Sequence, residues 1–170
     1  MKIEIFFDLN SKQTKYAFDH FKQAYHLFIY HDKLELTFKS YEISKQNILH
    51  QFIQFVKREY PALDIITEVL NCLYELKLTE TETLAHVLLT YKIPQDKVNE
   101  ALSSGKYAAI IRNHEEHAVL KKVKMTPHFI FENKVILSGE QSVKTYLDKL
   151  IEFYEYESKQ EYCEDDDCKR

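Results

Sequence analysis

KIEIFFDLNSKQTKYAF, residues 2–18, contains a short strand pattern followed at once by a helix pattern. Apolar residues alternate with polar ones at the start, and this period of two predicts a strand over residues 2–7. Apolar residues then recur at helical spacing, which predicts a helix over residues 12–27. A second alternating segment, LELTFKSY at residues 34–41, completes a β-α-β unit. Its two strands should be parallel and joined by a right-handed crossover.

The middle of the chain carries only helical patterns. Pro61 ends the first segment, and Gly105 fits just past the end of the fourth, where a left-handed residue closes many helices. Pro94 fits the first position of that fourth helix, because the N–H that proline lacks would be unpaired there anyway. The predicted helices cover residues 48–56, 66–76, 84–91, 95–102 and 107–121.

The strand pattern returns near the C-terminus. HFIF at residues 128–131 and VIL at residues 135–137 flank the turn residues ENK, so the sequence predicts a β-hairpin. A last helix is predicted over residues 142–156. The side chains expected to face inward from this helix are Val143, Tyr146, Leu147, Leu150, Ile151 and Tyr154.

In order, these elements read β-α-β, several helices, then β-β-α. This order predicts an α/β protein with a thioredoxin-like fold, in which a mixed four-stranded sheet carries helices on both faces. An all-helical subdomain is inserted between the two halves. We expect residues 1–43 and 107–156 to form the thioredoxin-like domain, residues 44–106 the helical insertion, and residues 157–170 an acidic, mobile C-terminal tail.

Composition and charge exclude several classes of protein. The 170 residues suit one domain, and a net charge of −4 argues against a general nucleic-acid binder, which would be strongly basic. No apolar run reaches the length of a membrane span, and the N-terminus is too short and too alternating for a secretory signal. We therefore expect a cytoplasmic protein that binds neither nucleic acid nor membrane.

The opening strand and the corner after it resemble those of DsbA-like thioredoxin-fold proteins, especially the cytoplasmic FrnE-like branch. MKIEIFFD is similar to the family's first strand, including the acid that ends it, here Asp8. In the family this acid is soon followed by Cys-Pro-x-Cys at the start of the first helix. The corresponding segment here is Ser11-Lys12-Gln13-Thr14, so Ser11 and Thr14 fall on the two cysteine positions.

Two later segments extend the resemblance. LELTFKSYE at residues 34–42 is similar to the family's second strand, and MTPHFIFENKVILSGEQS at residues 125–142 is similar to its Val-Pro-x-Phe-x-Phe hairpin. By this match, Pro127 falls on the family's cis-proline. The resemblance is looser over residues 44–80, where this chain lacks much of the first half of the family's helical insertion. We therefore expect the inserted subdomain to be shortened.

The resemblance implies a thiol–disulfide oxidoreductase, whereas the residues at the corner argue against the usual mechanism. The family's chemistry needs a thiolate at the helix N-terminus, where the helix dipole and free N–H groups lower the cysteine pKa. A serine or threonine hydroxyl has no accessible redox couple and cannot exchange a disulfide. Any redox activity would then be carried by Cys163 and Cys168, a C-x4-C motif that recurs in FrnE-like members.

Three interpretations of Ser11 are open. It can be simply the N-cap of the helix, accepting from an N–H two or three residues on. It can act like the serine of kappa-class glutathione transferases, whose fold is also similar and whose serine hydroxyl stabilises the glutathione thiolate. Lys12 and the Glu140-Gln141 pair depart from the pattern of those enzymes, so we do not expect glutathione to bind. Finally, Ser11 can mark a degenerate site kept as a groove for a partner.

Thr126 and Pro127 are the predicted substrate-binding residues. If the proline is cis, as the resemblance implies, it lies beside Ser11, and the backbone of Thr126 can pair with an extended peptide by β-augmentation. The expected partner is therefore a protein or peptide, and a partner with a thiol would supply what Ser11 lacks. The alternative is a tight turn at the entry to the strand, with no ligand.

The remaining candidates carry weaker signals. Acidic neighbours should raise the pKa of Cys163 and Cys168, and a zinc site there would lack the four ligands that structural zinc takes. We expect Cys72 to be buried and inert, and His114 and His117, spaced H-x-x-H, to lie on a solvated polar face. The sequence therefore predicts no metal and no cofactor.

Two functions remain. The first is an oxidoreductase of the FrnE-like type that lacks the usual active-site cysteines and has its redox activity at Cys163 and Cys168. The second is a non-enzymatic thioredoxin-fold protein that binds a peptide or protein partner at the groove between Ser11 and Pro127. The sequence leaves both open.

Overall fold

A mixed four-stranded sheet forms the centre of the protein. The structure, a computed structural model, describes residues 1–42 and 48–161, with side chains as far as residue 155. The strands lie in the order β2-β1-β3-β4; β1 is parallel to β2 and antiparallel to β3, and β3 and β4 form an antiparallel hairpin. The four strands are β1 (Lys2–Phe7), β2 (Glu35–Ser40), β3 (His128–Phe131) and β4 (Val135–Ser138).

Seven α-helices lie within the described residues. The first and last of them pack together on one face of the sheet, and the sixth packs on the other face. No described helix is long and apolar enough to cross a membrane. The helices are α1 (Lys12–Leu27), α2 (Ile48–Glu59), α3 (Ile65–Tyr74), α4 (Glu80–Tyr91), α5 (Gln95–Ser103), α6 (Lys106–Leu120) and α7 (Val143–Glu161).

Strand β1 lies inside the sheet, and helices on both sides of the sheet bury both of its faces. Ile3, Ile5 and Phe7 point to the side of α1 and α7, and all three are completely buried. Phe6 points to the opposite side, where it packs with Ala118 of α6. The predicted α/β class, the β-α-β … β-β-α order and the mixed four-stranded sheet are confirmed.

Helices α2 to α5 share the core of the sheet rather than enclosing one of their own. Phe52 of α2, Val69 of α3 and Val87 of α4 are fully buried and belong to the same apolar cluster as Ile5 of β1. One continuous core therefore joins the helical segment to the sheet, and each stabilises the other by burying apolar surface.

Local capping explains where several elements begin and end. Thr79 and Glu82 form a capping box, with Glu82 N–H donating to Thr79 Oγ1 at 3.3 Å and Thr79 N–H donating to Glu82 Oε2 at 2.8 Å. Helix α4 therefore begins earlier than predicted. Gly105 has a φ of 70° and separates α5 from α6. At the hairpin, Glu132 and Asn133 have φ values of 46° and 57°, a turn whose twist suits antiparallel strands.

Helix α7 differs from its predicted extent and face. It continues to Glu161 instead of ending at residue 156, so the first residues of the predicted tail are helical. Ile151, predicted to face inward, is 42% exposed, whereas Phe153 is buried and stacks on Phe131. Phe153 follows the fully buried Leu150 by three residues, which places both on the same side of the helix.

The predicted solvated face of α6 is half-buried. His114 packs against the end of β2, where its Nδ1 accepts the Ser40 N–H at 3.2 Å. His117 lies against the Lys39 ammonium of the same strand. Burial, with a smaller contribution from nearby lysine ammoniums, lowers the pKa of His114 to about 4. The prediction of a solvated face was wrong because the sequence of α6 does not reveal that β2 lies against it.

We predict that His114 makes stability depend on pH. Its folded-state pKa of about 4 lies below the ordinary value of 6.5, so the unfolded chain binds the proton first. The free energy of unfolding should fall as the pH drops from about 6.5 towards 4. After allowing for partial solvent exposure, the contribution of His114 should be about 1 kcal/mol. Urea unfolding at several pH values measures it.

The control for this prediction is a second histidine. His114→Gln should flatten the fall in stability, whereas replacing the exposed His31 in the same way should leave it unchanged. Equal pH dependence in the wild type and the His114 variant would contradict the prediction.

Candidate functional site

The corner after β1 is an ordered turn that leads directly into α1. Asp8 Oδ1 accepts the Asn10 N–H at 2.9 Å, and the Asp8 carbonyl accepts the Ser11 N–H at 3.4 Å. Ser11 has extended backbone angles and is the N-cap of α1, with its carbonyl accepting the Thr14 N–H at 2.9 Å. Asp8 thus orders the turn through both its side chain and its backbone.

The two hydroxyl residues of the corner have different surroundings. Ser11 is half-buried, and its side chain makes no capping hydrogen bond, so the bond to an N–H of the first turn that the N-cap interpretation predicts is absent. Thr14 is completely buried, and its Oγ1 has no hydrogen-bond partner in the described part of the chain. One hydroxyl is therefore accessible at the helix N-terminus, and the other lies beneath the surface.

Two side chains hold the backbone of Leu9 from both sides. The Leu9 N–H donates to His50 Nε2 at 3.3 Å, and the Leu9 carbonyl accepts the Tyr74 hydroxyl at 2.8 Å. Both side chains come from the helices that follow β2, namely α2 and α3. These residues were not predicted as site residues, because His50 and Tyr74 lie within ordinary amphipathic patterns and reach the corner only through the tertiary fold.

His50 is enclosed by two buried carboxylates. Its Nε2 lies 4.0 Å from Asp8 Oδ1 and 3.8 Å from Glu42 Oε1, and its ring packs 5.3 Å from that of Phe7. Asp8 and Glu42 follow β1 and β2, which are parallel and so end at the same edge of the sheet. Burial, and to a lesser degree the charge of Asp8, raises the pKa of Tyr74.

The Thr126–Pro127 segment lies at the same edge of the sheet. β1 and β3 are antiparallel, with Phe6 opposite His128, so the residues just before β3 face the residues just after β1. The Thr126–Pro127 peptide bond is cis, and Thr126 is buried. The Pro127 carbonyl accepts the Gly139 N–H at 2.8 Å. The fold thus brings four predicted site residues to one edge: Ser11, Thr14, Thr126 and Pro127.

The three cysteines fall in two parts of the chain. Cys163 and Cys168, the predicted redox pair, lie outside the described residues. Cys72 lies on α3 and is completely buried, as predicted. Burial, together with the neighbouring Glu68 carboxylate, raises the pKa of the Cys72 thiol to about 11. A thiol with this pKa is protonated at neutral pH and is a poor nucleophile.

A cavity of about 440 Å³ lies away from the corner, beside the edge strand β2. Its wall is mainly apolar and includes Phe18, Phe21 and Phe38. Lys57 also lines it, with its ammonium 4.7 Å from the centre of the Phe38 ring and donating to the Phe38 carbonyl at 3.3 Å. Burial lowers the pKa of Lys57 to about 8. Neither Ser11 nor Pro127 lines this cavity.

We predict that the Tyr74 hydroxyl stabilises the corner measurably. Tyr74→Phe removes one hydrogen bond to the Leu9 carbonyl and keeps the ring, so it should lower the free energy of unfolding by about 0.5–1.5 kcal/mol. Urea unfolding measures the change. Tyr30→Phe is the matched control, because Tyr30 is 42% exposed and contacts Tyr154 through its ring, which phenylalanine retains. Equal stability of the Tyr74 variant and the wild type would contradict the prediction.

Comparison with known proteins gives a consistent family and fold. The family model described as "DSBA-like thioredoxin domain" matches residues 2–151. A comparison with curated proteins gave no match.

Solved structures of bacterial oxidoreductases share the fold at 13–16% sequence identity. A probable DsbA oxidoreductase from Streptomyces coelicolor has a TM-score of 0.73 at 14% identity, covering 91% of this chain and 90% of that chain. The thiol-disulfide exchange protein alpha-DsbA2 from Wolbachia pipientis has a TM-score of 0.73 at 16% identity, covering 89% and 81%. A thioredoxin-like oxidoreductase from Silicibacter pomeroyi has a TM-score of 0.71 at 13% identity, covering 91% and 86%. Because the family model spans most of the chain, the protein belongs to the DsbA-like thioredoxin-domain family.

Proposed function

We propose that this protein is a DsbA-like family member of the FrnE-like branch in which the corner binds a peptide or protein partner without exchanging disulfides. The observation that carries this proposal is the pair of hydroxyls at the start of α1. Ser11 is half-buried at the N-cap and its side chain makes no capping hydrogen bond, and Thr14 is buried with its Oγ1 unpartnered among the described residues. An accessible and a buried group at this spacing correspond to the attacking and resolving thiols of a Cys-x-x-Cys site.

With hydroxyls in place of thiols, the corner has no nucleophile for disulfide exchange. The backbone arrangement that would bind an extended partner is still present. The edge after β1 is held by hydrogen bonds through Asp8 and Leu9. Thr126 and Pro127 lie across from it and offer backbone to an extended chain by β-augmentation. The cavity beside β2 is separate from the corner. The proposed binding surface is therefore the surface around Ser11, Thr126 and Pro127 rather than a deep pocket.

We predict that restoring two thiols restores the chemistry. Ser11→Cys together with Thr14→Cys, made in the C163S/C168S chain, should form an intramolecular disulfide and reduce insulin. In that reaction the two thiols give two electrons and two protons to an insulin disulfide, and added dithiothreitol regenerates them. The Ser11→Cys thiolate gains the N–H groups and dipole of α1, which lower its pKa. Insulin turbidity and thiol counting measure the outcome.

The control is a pair of the same spacing on the same helix. Gln13→Cys with Tyr16→Cys places both thiols on the exposed side of α1, two residues beyond the Ser11 and Thr14 positions, and should reduce insulin much more slowly. If the two pairs have equal activity, Ser11 and Thr14 do not occupy the positions of a thiol site.

We predict that an unfolded chain binds at the corner. The probe is reduced, carboxymethylated lactalbumin, which stays unfolded and has no thiols. In NMR titrations the amide shifts should change at residues 8–11 and 126–139. Ser11→Tyr should weaken binding by about tenfold, because a large side chain at residue 11 would occupy the space that an extended partner needs.

Ser103→Tyr, at the exposed end of α5, is the matched control and should bind the probe normally. Shift changes confined to the residues around the cavity beside β2, or equal binding by both tyrosine variants, would contradict the proposed site.

A second candidate function is thiol–disulfide exchange by Cys163 and Cys168. Family membership and the C-x4-C spacing support it. We expect the wild-type chain to owe any insulin reductase activity to this pair, so the C163S/C168S variant should lose that activity. Alkylation and mass measurement across a glutathione redox series, roughly −220 to −320 mV, would find the disulfide if it forms near the cytosolic potential. Full activity in the C163S/C168S variant would show that the corner itself is active.

A further inference from the structure

Three side chains with metal-binding atoms meet between α3 and α4. Glu68 and Cys72 are four residues apart on α3 and so lie on the same face of the helix. His86 reaches them from α4. The Cys72 Sγ lies 3.9 Å from Glu68 Oε1, and His86 Nε2 lies 3.6 Å from the same oxygen. All three candidate ligand atoms lie within 4.8 Å of one another.

We propose that Glu68, Cys72 and His86 form a binding site for a divalent transition-metal ion of the Zn²⁺ type. Tetrahedral zinc has bonds of about 2.0–2.3 Å to oxygen, nitrogen and sulfur, so its ligand atoms are roughly 3.3–3.6 Å apart. The observed separations of 3.6 and 3.9 Å approach these values. Small side-chain movements would therefore close the site around an ion.

The chemistry of the three ligands selects the class of metal. A thiolate and an imidazole favour Zn²⁺ and its neighbours, whereas Mg²⁺ and Ca²⁺ prefer sites made only of oxygen. On binding, the Sγ–H bond of Cys72 breaks, its proton passes to solvent, and a metal–sulfur bond forms. The thiolate and the Glu68 carboxylate then balance the two positive charges of the ion, so the filled site is neutral.

The three side chains would place an ion near the surface, between α3 and α4. Cys72 is completely buried, while the side chains of Glu68 and His86 are 26% and 40% exposed. The ion would sit on the buried thiol and keep a fourth position open to water or to a ligand from solution.

The test uses the tag-free C163S/C168S chain, in which Cys72 is the only thiol. Co²⁺ serves as the spectroscopic probe because thiolate ligation gives a charge-transfer band in the near ultraviolet and tetrahedral geometry gives strong visible bands. We expect one Co²⁺ per chain with both features, displacement by Zn²⁺, and a higher melting temperature with Zn²⁺ present.

Single variants connect the signal to the three ligands. Cys72→Ser should abolish the charge-transfer band, and His86→Gln should weaken Co²⁺ binding by more than about 100-fold. His31→Gln is the matched control, because His31 is exposed and outside the cluster, and it should bind Co²⁺ normally.

Two results would overturn the proposal. One is the absence of a thiolate charge-transfer band when Co²⁺ is in excess. The other is Co²⁺ binding that is equal in the His86 and His31 variants, since His86 is partly exposed and its replacement should leave the chain folded. Neither result depends on what the corner at Ser11 does.

Discussion

The parallel pairing of β1 with β2 is the constraint on which the rest of the structure depends. Parallel strands must be joined by a crossover, so α1 has to leave the carboxyl end of β1 and cover the sheet before β2 begins. The same pairing sets Asp8 and Glu42 at one edge of the sheet. Strand β3 pairs on the other side of β1 and brings Pro127 to that edge as well. The candidate site is therefore a product of the sheet topology.

The helical segment between β2 and β3 belongs to this site as much as the sheet does. His50 and Tyr74 contribute one hydrogen bond each to the peptide groups of Leu9, and a bond of this kind stabilises by about 0.5–1.5 kcal/mol. Because the helical segment shares its core with the sheet, the packing of α2 and α3 fixes the positions of His50 and Tyr74. The helical segment can thus shape the corner as long as α2 and α3 keep their contacts with it.

Most of the fold was predictable because its signals are local. The alternation in β1, the helical spacing in α1 and the ENK turn each depend on neighbouring residues, and the structure has the elements they predict. The errors arose where distant residues decide the outcome. His114 is half-buried because β2 lies against α6, and no pattern within α6 records that contact. In α7 the apolar face includes Phe153 rather than Ile151, because packing on Phe131 selects among several apolar residues.

The sequence predicted several residues of the candidate site, but it did not predict which side chains from other helices contact them. Ser11, Thr14 and Pro127 stand at junctions that the sequence marks clearly. His50 and Tyr74, and likewise the pairing of His86 with Cys72, depend on side chains that meet across separate helices. Residues far apart in sequence reach one another only once the core has formed.

The bonding of the Leu9 peptide groups limits how an extended partner chain can pair with this edge of the protein. Its N–H donates to His50 Nε2 and its carbonyl accepts the Tyr74 hydroxyl, so both groups are already bonded within the chain. An extended chain that paired with the Leu9 N–H would first have to break the bond from this N–H to His50 Nε2. If an extended partner is recognised through its backbone at this edge, we therefore expect Thr126, rather than Leu9, to make the contact.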